Sequence, residues 1–395
     1  MSVILVEGGR KLSGAVTVQG AKNSVLPMLA ATVLCPGICC LRGCPTLSDV
    51  DTAVQIIRHL GGTVHREGPD LVVDTRQITG CEIPEELMGR MRSSVMFLGA
   101  ILGRCGEAVC SQPGGCDLGP RPIDLHLYAL RAMGAEIEEK SGRLRCRGAA
   151  LHGAEIFLRT PSVGATENAI LAACAASGTT VISNAAREPE IMELQDFLRA
   201  MGACVQGAGS ATVVVEGRKK LHGCTHRVRP DRIVAATYLC AAAGTGGCVY
   251  LHRADYRHLA AVLCILQKSG CEICSDGGGI CLKSGGRLRG VPPVRTSPYP
   301  GFPTDDQALL MAALTRSRGS TVFVENLFAD RFRHVPQLIK MGAQIRTQGQ
   351  TAIVTGVQRL QGAAVQAGLR RYSGRSIGPG GLHIQRGLNE SRGVI

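Results

Sequence analysis

The chain has 395 residues, a formal net charge of +13, 3% aromatic residues, 18 Cys and no Trp. That length is enough for two or three domains with large cores, and no apolar run approaches the roughly 20 residues that a membrane-spanning helix needs. The Lys and Arg are scattered and aromatics are few, which argues against a stacking platform for nucleic acid and leaves the charge at least as well suited to phosphorylated small molecules.

In chain order, Met1 to Val6 is apolar but runs into Glu7-Gly8-Gly9-Arg10, so a strand and a turn are expected, not an export signal. A cytoplasmic protein with reduced thiols follows as the expectation. Gly20-Ala21-Lys22-Asn23 reads as a helix start, where backbone donors, the helix dipole and the Lys22 ammonium can converge on an anion. The other reading is a solvated Lys beside a helix cap. Cys35, Cys39, Cys40 and Cys44 alternate with apolar residues and read as strand packing, not as metal ligands.

Between Pro113 and Pro122 the pattern changes. Gly114 and Gly115 free the backbone ahead of Cys116, while Pro113, Pro120 and Pro122 restrict it on either side. A mobile tip could carry this thiol, with Arg121 close by in sequence, onto a bound ligand. Otherwise Cys116 is one more small apolar side chain. Further on, Cys271 and Cys274 have chelating spacing but sit in a strand-like run.

A helix-end signature followed by a short strand recurs with Gly at 61, 134, 202, 270 and 342, about 70 residues apart. A second series, Gly37, Gly106, Gly178, Gly247 and Gly319, keeps step with it. Each unit therefore holds an apolar helix, a Gly-led strand, a second helix and a strand pair, and such units must stack to bury their faces.

Several segments, in order, carry a resemblance: Lys22-Asn23, Met91-Arg92-Ser93-Ser94, the Cys116 loop, Arg121 to Leu125, Ser162 to Thr166, Ala186 to Glu190, Arg229-Pro230-Asp231-Arg232, Phe302 to Asp305 and Arg331 to Pro336. From the N-terminus to about Arg370 the chain resembles the enolpyruvyl transferases, and within them the branch acting on UDP-N-acetylglucosamine. The resemblance implies an α/β fold of two inside-out α/β barrel domains, helices inside and sheets outside, built from about six β-α-β-α-β-β units with the sixth incomplete. One domain would be residues 22–229, the other residues 1–21 and 230–395, with the site in the cleft between them. It implies transfer of the enolpyruvyl group of phosphoenolpyruvate to the sugar 3-hydroxyl, with neither metal nor organic cofactor and with no nucleic-acid or membrane partner.

In that scheme Cys116 is the general acid, Asp305 takes the hydroxyl proton, and Lys22, Arg121, Arg331 and Arg386 hold phosphoenolpyruvate. Asn23, Arg92, Arg121, Pro122, Ile123, Asp124, Leu125, Thr160, Pro161, Ser162, Val163, Asp305, Leu327 and Arg370 match substrate-binding positions. From the residues alone, Asp305 reads equally as a helix N-cap after Pro303-Thr304. Two rivals stand beside this scheme: the shikimate-pathway enolpyruvyl transferase, and a non-catalytic nucleotide-sugar-binding paralogue.

The chain also departs from the family. Gly368-Leu369-Arg370 replaces an Asp-Leu-Arg motif, a Gly- and Arg-rich stretch follows to Gly381, and His383-Ile384-Gln385-Arg386-Gly387 then recovers the family's next motif early. The abrupt change reads as a frame slip or deletion, with a destabilised C-terminus expected. Ser48 stands where the family often has Lys.

Overall fold

The computed structural model describes residues 4–114, 122–148, 150–366 and 393–394. Its repeating element is a small sheet with one helix feeding in and one crossing over. In one unit the helix Val163–Ala175 leads into the strand Thr179–Ser183, and the helix Pro189–Ala200 connects it to the pair Cys204–Gln206 and Thr212–Glu216. Thr179–Ser183 lies parallel to Glu155–Phe157 and antiparallel to Thr212–Glu216. The same arrangement recurs around the strands Ile38–Arg42, Cys248–His252 and Ser320–Val324, and around Glu107–Ser111 with a single parallel bridge from Val109 to Glu82 in place of the parallel strand.

The glycines expected to end helices do so. Gly61, Gly134, Gly202, Gly270 and Gly342 have φ of 102°, 89°, 96°, 105° and 89°, a left-handed conformation that L side chains resist. Each then turns the chain into the next strand, so the sequence period becomes a structural one.

Sheets lie outside and helices inside. The strand Arg143–Arg147 turns Leu144 and Cys146 inward and its three Arg outward, where Glu107 pairs with Arg145 at 2.7 Å. This alternation spreads the positive charge over the outer faces of sheets. The inner helices Lys22–Thr32, Phe97–Cys105 and Val163–Ala175 pack on one another and are apolar nearly all round. Small residues permit that approach: a Cβ at Gly99 would meet the Asn168 backbone oxygen at 2.5 Å. Among the described residues, no helix is long and apolar enough to cross a membrane.

Two hydrophobic cores result. One runs from Val25 to Val228, and the other gathers Val18 with residues from Ala235 to Val354 around the helices Arg232–Thr245 and Thr304–Leu314. With so few aromatics the cores are aliphatic, each fully buried Leu or Ile contributing about 2 kcal/mol; Phe97, Phe197 and Phe323 are the large anchors.

The chain passes between the lobes twice. After the strand Ser13–Thr17 it enters the first lobe at Lys22; after the strand Thr225–Arg227 it returns at Arg232. The two passes bond to each other, Ala21 N to Arg229 O at 2.8 Å and Asp231 N to Gln19 O at 2.9 Å. Among the described residues, the first lobe has three sheets. The second has two four-stranded sheets, and Leu5–Val6 pairs antiparallel with Gly393–Val394 in a third.

Candidate active site

A cavity of about 910 Å³ lies between the lobes at this double crossing. The helices Lys22–Thr32, Ser48–His59, Asp124–Ala132, Val163–Ala175, Arg232–Thr245 and Thr304–Leu314 all turn their N-terminal ends to it. Each end carries roughly half a positive charge, so their convergence makes an anion-binding chamber before any side chain is counted.

Lys22 is the first residue of its helix and only 4% exposed. Its ammonium lies 3.0 Å from Asp49 Oδ2, and its backbone N–H donates to Asp231 Oδ2 at 3.2 Å. The other Asp231 oxygen accepts from Ile233 and Val234, so this one carboxylate caps its own helix and ties in the start of the neighbouring one. Beside it, the largely buried Arg232 guanidinium bonds Glu190 from the first lobe at 2.9 Å and 3.4 Å.

Asp305 lies in the first turn of the helix Thr304–Leu314. The cap reading fails: the cap position is Pro303, and the Asp305 carboxyl instead accepts from Arg331 Nη2 at 2.6 Å. Burial pushes this carboxyl up, but Arg331, Arg232 and Lys22 outweigh it and hold it below the usual carboxylate range. Its side chain is 44% exposed, onto the cavity. Its neighbour Asp306 is 1% exposed with neither carboxyl oxygen hydrogen-bonded, and burial raises its pKa well above normal.

Of the residues singled out from sequence, Lys22, Asn23, Arg92, Pro122, Asp124, Leu125, Thr160, Pro161, Ser162, Val163, Asp305 and Leu327 line the cavity. Arg92 Nη2 donates to Pro122 O at 3.1 Å, and the Ser162 hydroxyl caps the helix Val163–Ala175. Arg331 enters through its bond to Asp305. Ile123 does not line the cavity; it is 4% exposed and packs in the first-lobe core.

Cys116, Arg121, Arg370 and Arg386 lie outside the described residues. The described residues on either side of 115–121 both reach the cavity. Pro122, just past it, lines the cavity, while Gly114 packs so closely on cavity-lining Gly89 that a Cβ would meet the Gly89 oxygen at 2.2 Å.

Residues without an assigned role in the sequence reading complete the site. Glu167, Glu188 and Glu190 line it from the first lobe. One oxygen each of Glu167 and Glu188 is buried without a partner, and burial raises both carboxyls, Glu167 well above the usual carboxylate range. On the second-lobe side Glu325, 1% exposed, accepts from the Thr296 and Thr304 hydroxyls and from the N–H groups of Leu327 and Phe328. Glu188, Glu190 and Arg232 stood in recognisable segments; nothing local in the sequence marks Glu325.

Comparisons with known proteins agree with this geometry. The model of the EPSP synthase (3-phosphoshikimate 1-carboxyvinyltransferase) family matches residues 6–370. UDP-N-acetylglucosamine 1-carboxyvinyltransferase 2 of Caldanaerobacter subterraneus subsp. tengcongensis is 45% identical, covering 98% of this chain and 95% of that protein. UDP-N-acetylglucosamine 1-carboxyvinyltransferase 1 of Carboxydothermus hydrogenoformans is also 45% identical, over 93% of this chain and 87% of its own length. Among solved structures, the enolpyruvyl transferase NikO from Streptomyces tendae aligns with a TM-score of 0.85 at 22% identity, over 99% of this chain and 92% of that one. EPSP synthase from Acinetobacter baumannii aligns with a TM-score of 0.72 at 21% identity, over the same shares. At those identities the structural likeness speaks for the fold: two inside-out α/β barrels.

Proposed function

The chain belongs to the EPSP synthase family of enolpyruvyl transferases, and we propose that it transfers the enolpyruvyl group of phosphoenolpyruvate to the 3-hydroxyl of UDP-N-acetylglucosamine, releasing phosphate at the start of peptidoglycan synthesis. The observation that carries this reading is the chamber itself: converging helix N-termini with Lys22 from one lobe and the Asp305–Arg331 pair from the other.

Both substrates are anions, and the chamber favours negative charge. Addition of an alcohol across an enol needs a base at the hydroxyl and an acid at the enol carbon. Asp305 is the base. In the free protein Arg331 keeps it ionised; an anionic substrate that shares the Arg331 charge raises the carboxyl again and makes it more basic. Cys116 delivers the proton to the enol carbon, and Lys22 with Arg121, Arg331 and Arg386 holds the phosphate and carboxylate. Asn23, Arg92, the segment from Pro122 to Leu125, Thr160 to Val163, Leu327 and Arg370 bind the nucleotide sugar. The lobes correspond to residues 22–229 and to residues 1–21 with 230–395, a division supported by the two separate cores.

Phosphate release measured with phosphoenolpyruvate and either UDP-N-acetylglucosamine or shikimate 3-phosphate tests the reading. Turnover with the nucleotide sugar alone is expected. Turnover only with shikimate 3-phosphate moves the chain to the other branch, and binding of the nucleotide sugar without turnover makes it a non-catalytic paralogue. Cys116→Ala is expected to lose turnover by about 10²-fold or more; full activity in that variant removes Cys116 as the proton donor.

A further inference from the structure

One sheet of the second lobe carries a row of thiols that takes no part in the cleft. Its strands run in the order Cys271–Ser275, Gly279–Ser284, Cys248–His252, Ser13–Thr17, so Cys271–Ser275 is the edge. Side chains alternate along a strand. Cys271 is accordingly turned into the core at 7% exposed, while Cys274 faces solvent. The register places Cys274 directly opposite Cys281, and it places Tyr250 opposite Cys281 on the other side, which leaves Cys248 diagonal to it.

That register is locked by the turn. Asp276 Oδ1 accepts from the N–H groups of Gly278 and Gly279 at 3.0 Å and 3.1 Å, and from the Tyr250 hydroxyl at 2.8 Å. Facing residues of an antiparallel pair have Cα atoms about 4.5 or 5.5 Å apart, depending on whether the pair is hydrogen-bonded. Both values fall within the roughly 4.4–6.8 Å that a disulfide spans. A diagonal pair is wider, about 7–8 Å between side-chain-bearing carbons, and falls outside it.

We propose that Cys274 and Cys281 form a thiol–disulfide exchange site for a low-molecular-weight disulfide of the glutathione type. The Cys274 thiolate attacks one sulfur of the small disulfide, forming a mixed disulfide and expelling one thiolate. Cys281 then gives up its proton and attacks Cys274 Sγ, and the second small thiolate leaves. Two protein thiols are oxidised to one disulfide, one small disulfide is reduced to two thiols, and the protons pass to them. Edge position and exposure make Cys274 the entry point. Burial and the neighbouring sulfurs of Cys248 and Cys274 hold the Cys281 thiol up at about 11, so the second step quickens as pH rises.

The test uses the full chain, incubated in its native state with oxidised glutathione at mildly alkaline pH. Remaining thiols are then alkylated, the chain is cleaved ahead of Asp276 to separate the two cysteines, and sulfur-linked peptides are mapped by mass spectrometry. The expected result is a link between the Cys274 and Cys281 peptides in most chains. It should vanish in Cys281→Ser, which instead keeps a glutathionyl group on Cys274, and persist in Cys248→Ser. Three results each overturn the proposal: both cysteines alkylated in the treated chain, Cys281 linked to Cys248, or Cys274 left glutathionylated while Cys281 is intact.

Discussion

Two buried glutamates on opposite sides of the cleft, Glu167 lining the cavity and Glu325 just behind the lining segment Asn326 to Phe328, have opposite fates. Glu325, in the second lobe, accepts four hydrogen bonds and thereby ties the Thr296, Thr304 and Leu327 segments into one rigid wall that holds Asp305. Glu167, in the first lobe, is 2% exposed, leaves one oxygen unbonded, and its carboxyl is pushed well above the usual range by burial. Burial alone therefore does not say what a carboxyl is for. A satisfied one stabilises its surroundings, whereas an unsatisfied one costs stability and persists where something other than folding maintains it.

Altering each wall sharpens that contrast. The largest effect is expected at the residue the rigid wall presents: Asp305→Asn should lower phosphate release by about 10³-fold while leaving the fold intact. Because Asp305 is held below the ordinary carboxylate range, the acid limb of kcat/KM in the parent should also fall below that range. A loss smaller than tenfold means that Asp305 serves only as the partner of Arg331.

Next comes Glu325→Ala, which leaves two hydroxyls and two N–H groups without their acceptor. A loss of about 3 kcal/mol is expected in denaturant unfolding, with a raised KM for the nucleotide sugar as Leu327 loosens. An unchanged midpoint would show that the wall is held by packing instead.

Asp231→Ala removes the shared cap of two helices and should cost about 2 kcal/mol. Asp231→Asn, which keeps an acceptor oxygen, should cost clearly less, and equal losses would point to charge, not capping.

The smallest effect has the opposite sign. Glu167 has a folded pKa raised above its unfolded one, so its contribution is fully present below the usual carboxylate range and is lost as pH rises toward the folded value. Glu167→Gln, and by the same reasoning Asp306→Asn, should raise the Tm modestly at neutral pH, by the equivalent of about 1 kcal/mol, and progressively less as the pH is lowered toward the unfolded carboxylate range. A gain that is the same at every pH would mean that neither carboxyl is held protonated by its burial.

Much of the architecture was legible in the text of the chain because it repeats. A Gly that must take a left-handed conformation is a local requirement, so Gly61, Gly134, Gly202, Gly270 and Gly342 mark the helix ends without reference to anything distant. Lys22 at a helix start was legible for the same reason. Asp305 was ambiguous from sequence, since cap and base look alike; the contact with Arg331 settles which group its carboxyl meets. Ile123 was grouped with its binding-segment neighbours, yet its side chain turns into the core.

What the sequence determined by itself, then, was the period of the fold, the ends of its helices, and the residue types that anionic chemistry requires, all of which follow from short-range backbone geometry. Only the tertiary structure decided which of these meet. The crossing of the chain at residues 18–22 and 227–232 sets Asp231 against Lys22 and Arg232 against Glu190. It likewise decided that Glu325 is satisfied and Glu167 is not, because folding of the second lobe brings Thr296 and Thr304, more than 20 residues away in the chain, onto Glu325, and no local pattern encodes that choice.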